Sequence, residues 1–471
     1  MMNIDQRQHD ILKGKNIAKI ILLLSLPIMF SSILKTLHDL VDMYVVSSIN
    51  GPKTIVDAQV AAVTFTTPII SVCQGLATGI MIAGSALMSQ YIGALKFEKA
   101  RKVSGQLMLF CIVIGIILNI ILFIFAPNII HWMNATDELY NYSVRYVRVR
   151  SFELIGLFIF FAFQATRQSM GDTLTPVVLN VIAVIINIIL SIFFISVLKT
   201  DLTGAAWGTV IGNLIILPVC FWQLKKDRHF NMNMDLETLK YDGKVLRNIF
   251  ALGWPAAISQ SFTSLGFLLI NSMIAGFNQD IFSSIGVGNR INSLLLFPAI
   301  GIGSVLATFV GQNIGAGNRE RARKGFHTAI YITLVITIVG ALVLMPFRPF
   351  LTSVFLKEEE AINLAAFYLL ILLCNLPLMG TFQCFNGVFQ GSGRTDLVLI
   401  LATTRLWIMR VPVLYLFLFV FDVGTPSVWY AMIISNAGAN ILGAALYLLI
   451  DFKPHLSGMR KRLGDLTEVG D

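Results

Sequence analysis

The sequence predicts an all-α polytopic membrane protein: twelve transmembrane helices in two six-helix bundles, related by a pseudo-twofold axis along the membrane normal. Three observations carry that prediction. Hydrophobic types make up 56% of the 471 residues and charged types only 13%, whereas a soluble domain carries about 25% charged residues. A water-facing surface so poor in charge would aggregate, so most of this surface faces lipid. Twelve runs reach the roughly 20 mostly apolar residues that a span needs. Blocks of sequence also recur at a constant offset of 222 residues.

The runs are approximately 17–48, 60–89, 104–126, 141–166, 175–198, 204–224, 248–276, 284–311, 325–346, 361–389, 397–421 and 426–450. Lys and Arg set their orientation. The N-terminal segment through Lys19 and every second gap after it hold 24 of them, against 4 in the intervening gaps. The positive-inside rule then places both termini in the cytoplasm, as an even number of spans requires, with the chain in the inner (plasma) membrane. The net charge of +9 sits in short clusters between apolar runs, which suits a membrane surface and not nucleic acid. The polar start, Met1 to Lys19, and the apolar run after it lack a signal-peptide cleavage pattern. Cys73, Cys111, Cys220, Cys374 and Cys384 all lie in apolar stretches. Their odd number and the lack of Cys-x-x-Cys predict packed thiols, with no disulfide framework and no zinc site.

The repeat divides the chain. Gln90-Tyr91-Ile92-Gly93-Ala94 with Glu98-Lys99-Ala100-Arg101-Lys102 returns as Gln312-Asn313-Ile314-Gly315-Ala316 with Glu320-Arg321-Ala322-Arg323-Lys324. In the same register Gln168 and Gly171-Asp172-Thr173 meet Gln390 and Gly393-Arg394-Thr395, and Trp207 meets Trp429. Leu26-Pro27 resembles Trp254-Pro255 near the start of each half. The expected organisation is a six-helix lobe over 1–224, a cytoplasmic linker over 225–247, a second lobe over 248–450 and a cytoplasmic basic tail over 451–471. Two parallel repeats with a path between them suit alternating access. Gly204, Gly208 and Gly212, and the pairs Gly311/Gly315 and Gly387/Gly391, form small-residue stripes for close helix packing.

Ionisable residues inside a span are functional candidates because they are costly there. The first span holds Lys35, His38, Asp39 and Asp42, within about 100° of arc on one helix face. Lys35 can pair with Asp39 and His38 with Asp42, each four residues apart. At Asp42 desolvation and nearby cations pull protonation in opposite directions, which suits a proton or cation switch. The plainer alternative is a local cap or pair near the outer surface, and neutralisation by Lys35 for Asp39. Pro27 interrupts the backbone ladder mid-span and acts as a hinge or as a static kink. Arg405 and Arg410 in the eleventh span, and Arg145, Arg148, Arg150 and Glu153 at the start of the fourth, are assigned structural roles, with Arg150 and Glu153 within pairing distance three residues apart. Asn187, Asn213, Asn436 and Asn440 serve as interhelical glue.

The stretch Leu37-His38-Asp39-Leu40-Val41-Asp42 with Val45-Val46 and upstream Pro27, the repeated Gln-x-Ile-Gly-Ala with its Glu-x-Ala-Arg-Lys, and Met170-Gly171-Asp172-Thr173-Leu174-Thr175-Pro176 together resemble the multidrug and toxin extrusion (MATE) family of the MOP superfamily, in its DinF-like bacterial branch. The resemblance spans nearly the whole chain. It implies a secondary active antiporter that exports cationic or amphipathic compounds, driven by a proton or sodium gradient and needing no cofactor. It also implies a coupling site in the N-terminal half: Asp42 matches that branch's first-span Asp, Asn187 its Asn and Thr209 its Thr. Ser191 stands where the branch has a second acid, with His38 and Asp39 as compensation, so any sodium site at Asp42, Asn187 and Thr209 would be weak, because hard cations favour carboxylates. The implied partners are a small organic cation or amphipathic drug and the lipid bilayer, with the chain acting as a monomer. The alternatives are a lipid-linked precursor flippase of the same superfamily, which wants a cationic cavity that Arg405 and Arg410 only weakly supply, and a membrane-embedded enzyme. The latter needs a cluster of His, Asp or Cys, whereas His131, His229 and His327 are solitary, so no enzymatic activity is expected.

Overall fold

The structure is a computed structural model that describes residues 4–452, apart from 48, 50–51, 136, 227–231, 236 and 275–278. His229, part of the expected linker and all but the first two residues of the basic tail therefore lie outside the described residues. Every regular element described is helical. In chain order they are α1 (Ile4–Lys13), α2 (Ile17–Ser47), α3 (Lys53–Gly93), α4 (Phe97–Trp132), α5 (Asp137–Ser151), α6 (Glu153–Ser169), α7 (Leu174–Ile192), α8 (Leu202–Ile215), α9 (Leu217–Lys226), α10 (Gly243–Ile274), α11 (Gln279–Gly315), α12 (Arg319–Leu344), α13 (Arg348–Ser353), α14 (Glu359–Gly391), α15 (Thr395–Thr403), α16 (Val411–Tyr415) and α17 (Pro426–Leu448). Short π-helical stretches, Phe193–Val197, Thr404–Arg410 and Leu416–Val420, continue α7, α15 and α16.

Eleven of the described helical segments are long and apolar enough to cross a membrane. The expected fourth span falls instead on α5 and α6, which are 15 and 17 residues long and are separated by Phe152 alone. The apolar faces are left bare: on α4, Ile116, Ile117, Ile120, Ile121 and Ile124 are all exposed. Helices that were polar outside and apolar inside would show the reverse, so the solvent of these faces is lipid. The chain is a multi-pass membrane protein.

The residues gather into two compact units. Unit 1 takes Met1–Met29, Ser89–Leu95 and Ile258–Asp471, and unit 2 takes Phe30–Met88 and Lys96–Ala257. The division falls two residues beyond Pro27 in α2 and two residues beyond its repeat partner Pro255 in α10.

Unit 1 packs Phe309, Phe326, Phe385 and Phe389 around Val305, Val388 and Leu401, with Ile11 and Ile21 from the N-terminal helices. Its sequence signature folds back on itself. A Cβ on Gly93 would lie 1.9 Å from the Gln312 carbonyl oxygen, and one on Gly315 would lie 2.0 Å from the Gln90 carbonyl oxygen. The two copies of Gln-x-Ile-Gly-Ala thus cross at their glycines, where no other residue fits. Both then turn through a left-handed residue, Leu95 at φ 56° and its counterpart Gly317 at φ 78°. The polar N-terminus forms α1, whose C-terminal carbonyls are clamped by Arg321: Nε donates to Ile11 O at 2.9 Å, and Nη2 to Asp10 O at 3.0 Å and Gly14 O at 2.8 Å. A guanidinium on the last carbonyls of a helix satisfies groups the helix leaves unpaired.

Unit 2 has a core of Val45, Val46, Ala62, Tyr146, Ile195, Leu202 and Ala205. The inter-repeat linker is tied to α4. Gln106 Nε2 donates to Thr238 O at 2.9 Å and Lys240 O at 2.7 Å, while its Oε1 accepts from the Asp242 N–H at 2.9 Å. Lys102 reaches the Asp242 carboxylate, and that hydrogen bond holds the carboxyl below its ordinary value.

Candidate functional site

The chemistry anticipated for the N-terminal half converges in unit 2. Asn187 on α7 is buried and lies between α2 and α8. His38 Nε2 is 2.9 Å from Asn187 Oδ1, and Asn187 Nδ2 donates to Thr209 Oγ1 at 2.9 Å. Thr209 Oγ1 in turn donates to the Ala205 carbonyl at 3.1 Å. The direction of this chain assigns the protons. The threonine hydroxyl spends its one hydrogen on Ala205, so it accepts from an amide N–H. The Asn187 oxygen therefore faces the imidazole, and Nε2 of His38 carries a hydrogen.

Close helix contact makes the chain possible. α8 meets α7 through the glycine stripe: a Cβ on Gly208 would lie 2.3 Å from Ser191 Oγ, and one on Gly212 would lie 3.1 Å from Asn187 Cβ. Ser191 is fully buried, and its Oγ has no hydrogen-bond partner among the described residues. The sequence-predicted set thus divides. His38, Asn187 and Thr209 are joined in one hydrogen-bond chain, and Ser191 lies one helical turn along α7 from Asn187. Asp39 and Asp42 are on α2, but their side chains lie outside the described residues. Lys35 donates to Gln74 Oε1 at 3.4 Å. Pro27 lies within α2, in the part that belongs to unit 1.

A second buried polar group in unit 2 is an ion pair. Arg150 Nη2 is 3.0 Å from Glu153 Oε2, with both side chains largely buried. Glu153 Oε1 also accepts from Asn213 Nδ2 at 3.2 Å. A buried charge that keeps a partner and a hydrogen bond avoids the cost of an isolated one, which agrees with the structural role expected of the pair. In unit 1 the asparagines likewise bond between helices. Asn436 Nδ2 donates to Asn375 Oδ1 at 3.1 Å, and Asn440 Nδ2 to Leu378 O at 2.8 Å. Arg410 Nε donates to Ser435 Oγ and Nη2 to Asn436 Oδ1, each at 2.8 Å. Asn436, Asn440 and Arg410 meet the expectation of structural bonding between helices, whereas Asn375 and Ser435 were not anticipated, although the 222-residue register sets Asn375 on Glu153 and so marks the position.

Known proteins share this architecture. The chain is 27% identical over 396 residues to the probable multidrug resistance protein YoeA of Bacillus subtilis, covering 83% of this chain and 84% of that one. It is 23% identical to the multidrug export protein MepA of Staphylococcus saprophyticus, covering 91% and 93%. Among solved structures, the outward-facing conformation of a multidrug resistance MATE family transporter of the MOP superfamily matches with a TM-score of 0.85 at 23% identity, covering 94% and 96%. Residues 27–193 and again residues 255–416 match MatE, one match per repeat, so the chain belongs to the MatE family.

Proposed function

We propose that this protein is a secondary active antiporter that exports cationic or amphipathic small molecules by alternating access, coupled to proton entry through unit 2. The observation that carries the proposal is the chain His38–Asn187–Thr209, which links α2, α7 and α8 by directional hydrogen bonds. A protonation change on α2, at Asp42 with Asp39 and His38 beside it, alters the hydrogen bonding demanded of Asn187 and so couples to the packing of α7 on α8. Such coupling works only where protonation has different free energies in the two transport states. The names of the relatives YoeA and MepA, a multidrug resistance and a multidrug export protein, support the substrate class.

Protons suit the site better than sodium. Asn187 Oδ1 faces the His38 N–H, Thr209 Oγ1 accepts from Asn187, and Ser191 offers a neutral hydroxyl, whereas a hard cation favours carboxylate oxygens. Pro27 is proposed as the hinge, because the division between the units falls beside it in α2. The charge distribution of the gaps supports cytoplasmic termini, and the chain is proposed to work as a monomer in the inner (plasma) membrane.

The test is ethidium efflux from proteoliposomes under separately imposed proton and sodium gradients. Wild type is expected to respond to the proton gradient, and Asp42→Asn to lose that response while remaining inserted and monodisperse. Efflux that persists in full without the carboxylate, or that follows sodium alone, removes this mechanism.

A further inference from the structure

We propose that the cavity of unit 1 binds the oxyanion group of an organic ligand, a carboxylate or phosphate, between Arg405 and Arg410. The site is built from unit 1 residues alone and does not depend on the proton path proposed for unit 2. The cavity has a volume of about 500 Å³, within the range of small-molecule sites and far larger than a bare ion requires.

Its charge is one-sided. Arg405 and Arg410 both line it and both are more than nine-tenths buried. Among the described residues no Asp or Glu lines the cavity, and neither arginine has an ion pair. Arg410 is held by neutral groups, the Ser435 hydroxyl and the Asn436 amide. Arg405 has less. Its guanidinium carbon lies 4.1 Å from the centre of the Phe382 ring, and its Nε has no hydrogen-bond partner among the described residues. Buried cations pair or face a cavity because an isolated one is costly. Both arginines border a space that an acceptor can enter, and planar guanidinium forks match carboxylate and phosphate oxygens.

The backbone aligns the two arginines. In an α-helix residues five apart point about 140° away from each other. Residues Thr404–Arg410 are instead π-helical, with the Val411 N–H bonded to Leu406 O. A ladder that closes on the fifth residue brings Arg410 round to the face of Arg405. The remainder of the wall suits an organic body. Phe267, Ile270 and Met432 supply apolar surface, and Asn271, Asn292 and Gln383 supply amides.

The test is calorimetric titration of the full-length, detergent-purified protein with benzylphosphonate, with benzyltrimethylammonium as the opposite-charge control. Wild type is expected to bind the phosphonate in preference to the ammonium. Arg405→Met and Arg410→Met are each expected to weaken that binding by about tenfold or more. Gln383→Glu keeps both arginines and the acceptor that Asn386 uses, adds a carboxylate to the wall, and should weaken binding similarly in a folded protein. Native mass spectrometry separates the two sources of oxyanion. Phosphatidylglycerol carried through purification by wild type and lost in Arg405→Met identifies a lipid headgroup. Phosphonate binding undiminished in phosphatidylglycerol nanodiscs identifies a soluble anion. The proposal is overturned if neither probe nor lipid binds, if the ammonium binds better, or if Arg405→Met and Gln383→Glu bind the phosphonate as wild type does.

Discussion

Unit 2 buries Arg150 against Glu153, with Asn213 on the same carboxylate. Unit 1 carries Asn375 at the repeat position of Glu153 and buries Arg405 and Arg410 with no carboxylate among the residues lining their cavity. On α2 the acids Asp39 and Asp42 follow Pro27; setting Pro255 on Pro27 puts Phe267 and Ile270 in their places. The repeats therefore share a backbone plan and differ in how buried charge is balanced: unit 2 sets Arg150 against an acid, and unit 1 lines its cavity with arginines and no acid. A duplicated fold inherits its helix crossings as a set, because a glycine contact tolerates no change. A polar position within a span is free to exchange acid for amide once its partner has gone. On the two proposals made above, one half would exchange a proton and the other would hold an anion.

The largest expected effect tests the charge balance itself. Glu153→Gln leaves Arg150 buried without its counter-charge and should cost about 3 kcal/mol or more, seen as a marked fall in the melting temperature of the purified protein. Arg405→Met removes a charge that has no carboxylate and should leave the melting temperature unchanged or raised in the absence of ligand. Equal destabilisation by the two substitutions breaks the comparison. An intermediate effect is expected from Asn187→Leu, which cuts the chain between His38 and Thr209. It should reduce gradient-driven efflux by about tenfold, equivalent to about 1.4 kcal/mol of coupling, with the protein still folded. Thr209→Val removes only the last link and should cost less, which orders the chain from α2 outward. The smallest effect concerns the turn that both repeats share. Leu95 is exposed and held at φ 56° where the second repeat has Gly317. Leu95→Gly should therefore stabilise the protein by up to about 1 kcal/mol, while Gly317→Leu should destabilise it.

Much of the scaffold was legible because membranes simplify the code. Apolar run length marks spans, and the constant register ties Gln90 to Gln312 and Trp207 to Trp429. His38 and Asn187 were legible as rare polar groups within apolar runs and Thr209 through the family resemblance, although their order His38–Asn187–Thr209 needed the packing of α7 on α8. Other features depend on geometry that composition does not encode. The break at Phe152 falls inside a single expected span, between the polar, basic α5 and the apolar α6. Arg321 acts on α1 from about three hundred residues away, and α1 itself is too polar to register in a hydropathy scan. Arg405 and Arg410 were assigned structural roles, and their meeting on one cavity wall depends on the π turn, which sequence does not mark.

That turn also carries a genetic signature. A π turn is an α-helix that has accommodated one residue too many. Deleting a single residue between Arg405 and Arg410 would let the ordinary i→i+4 ladder close across the gap. The span would survive, shorter by about 1.5 Å. Arg405 and Arg410 would then stand four residues apart on an ordinary helix, still on one face, and the side chains beyond the deletion would keep their register. A one-codon loss here would be almost silent in hydropathy, in overall fold and for the pairing of the two arginines. The same deletion in α17, where no π turn stores a spare residue, would have no relaxed helix to fall back on.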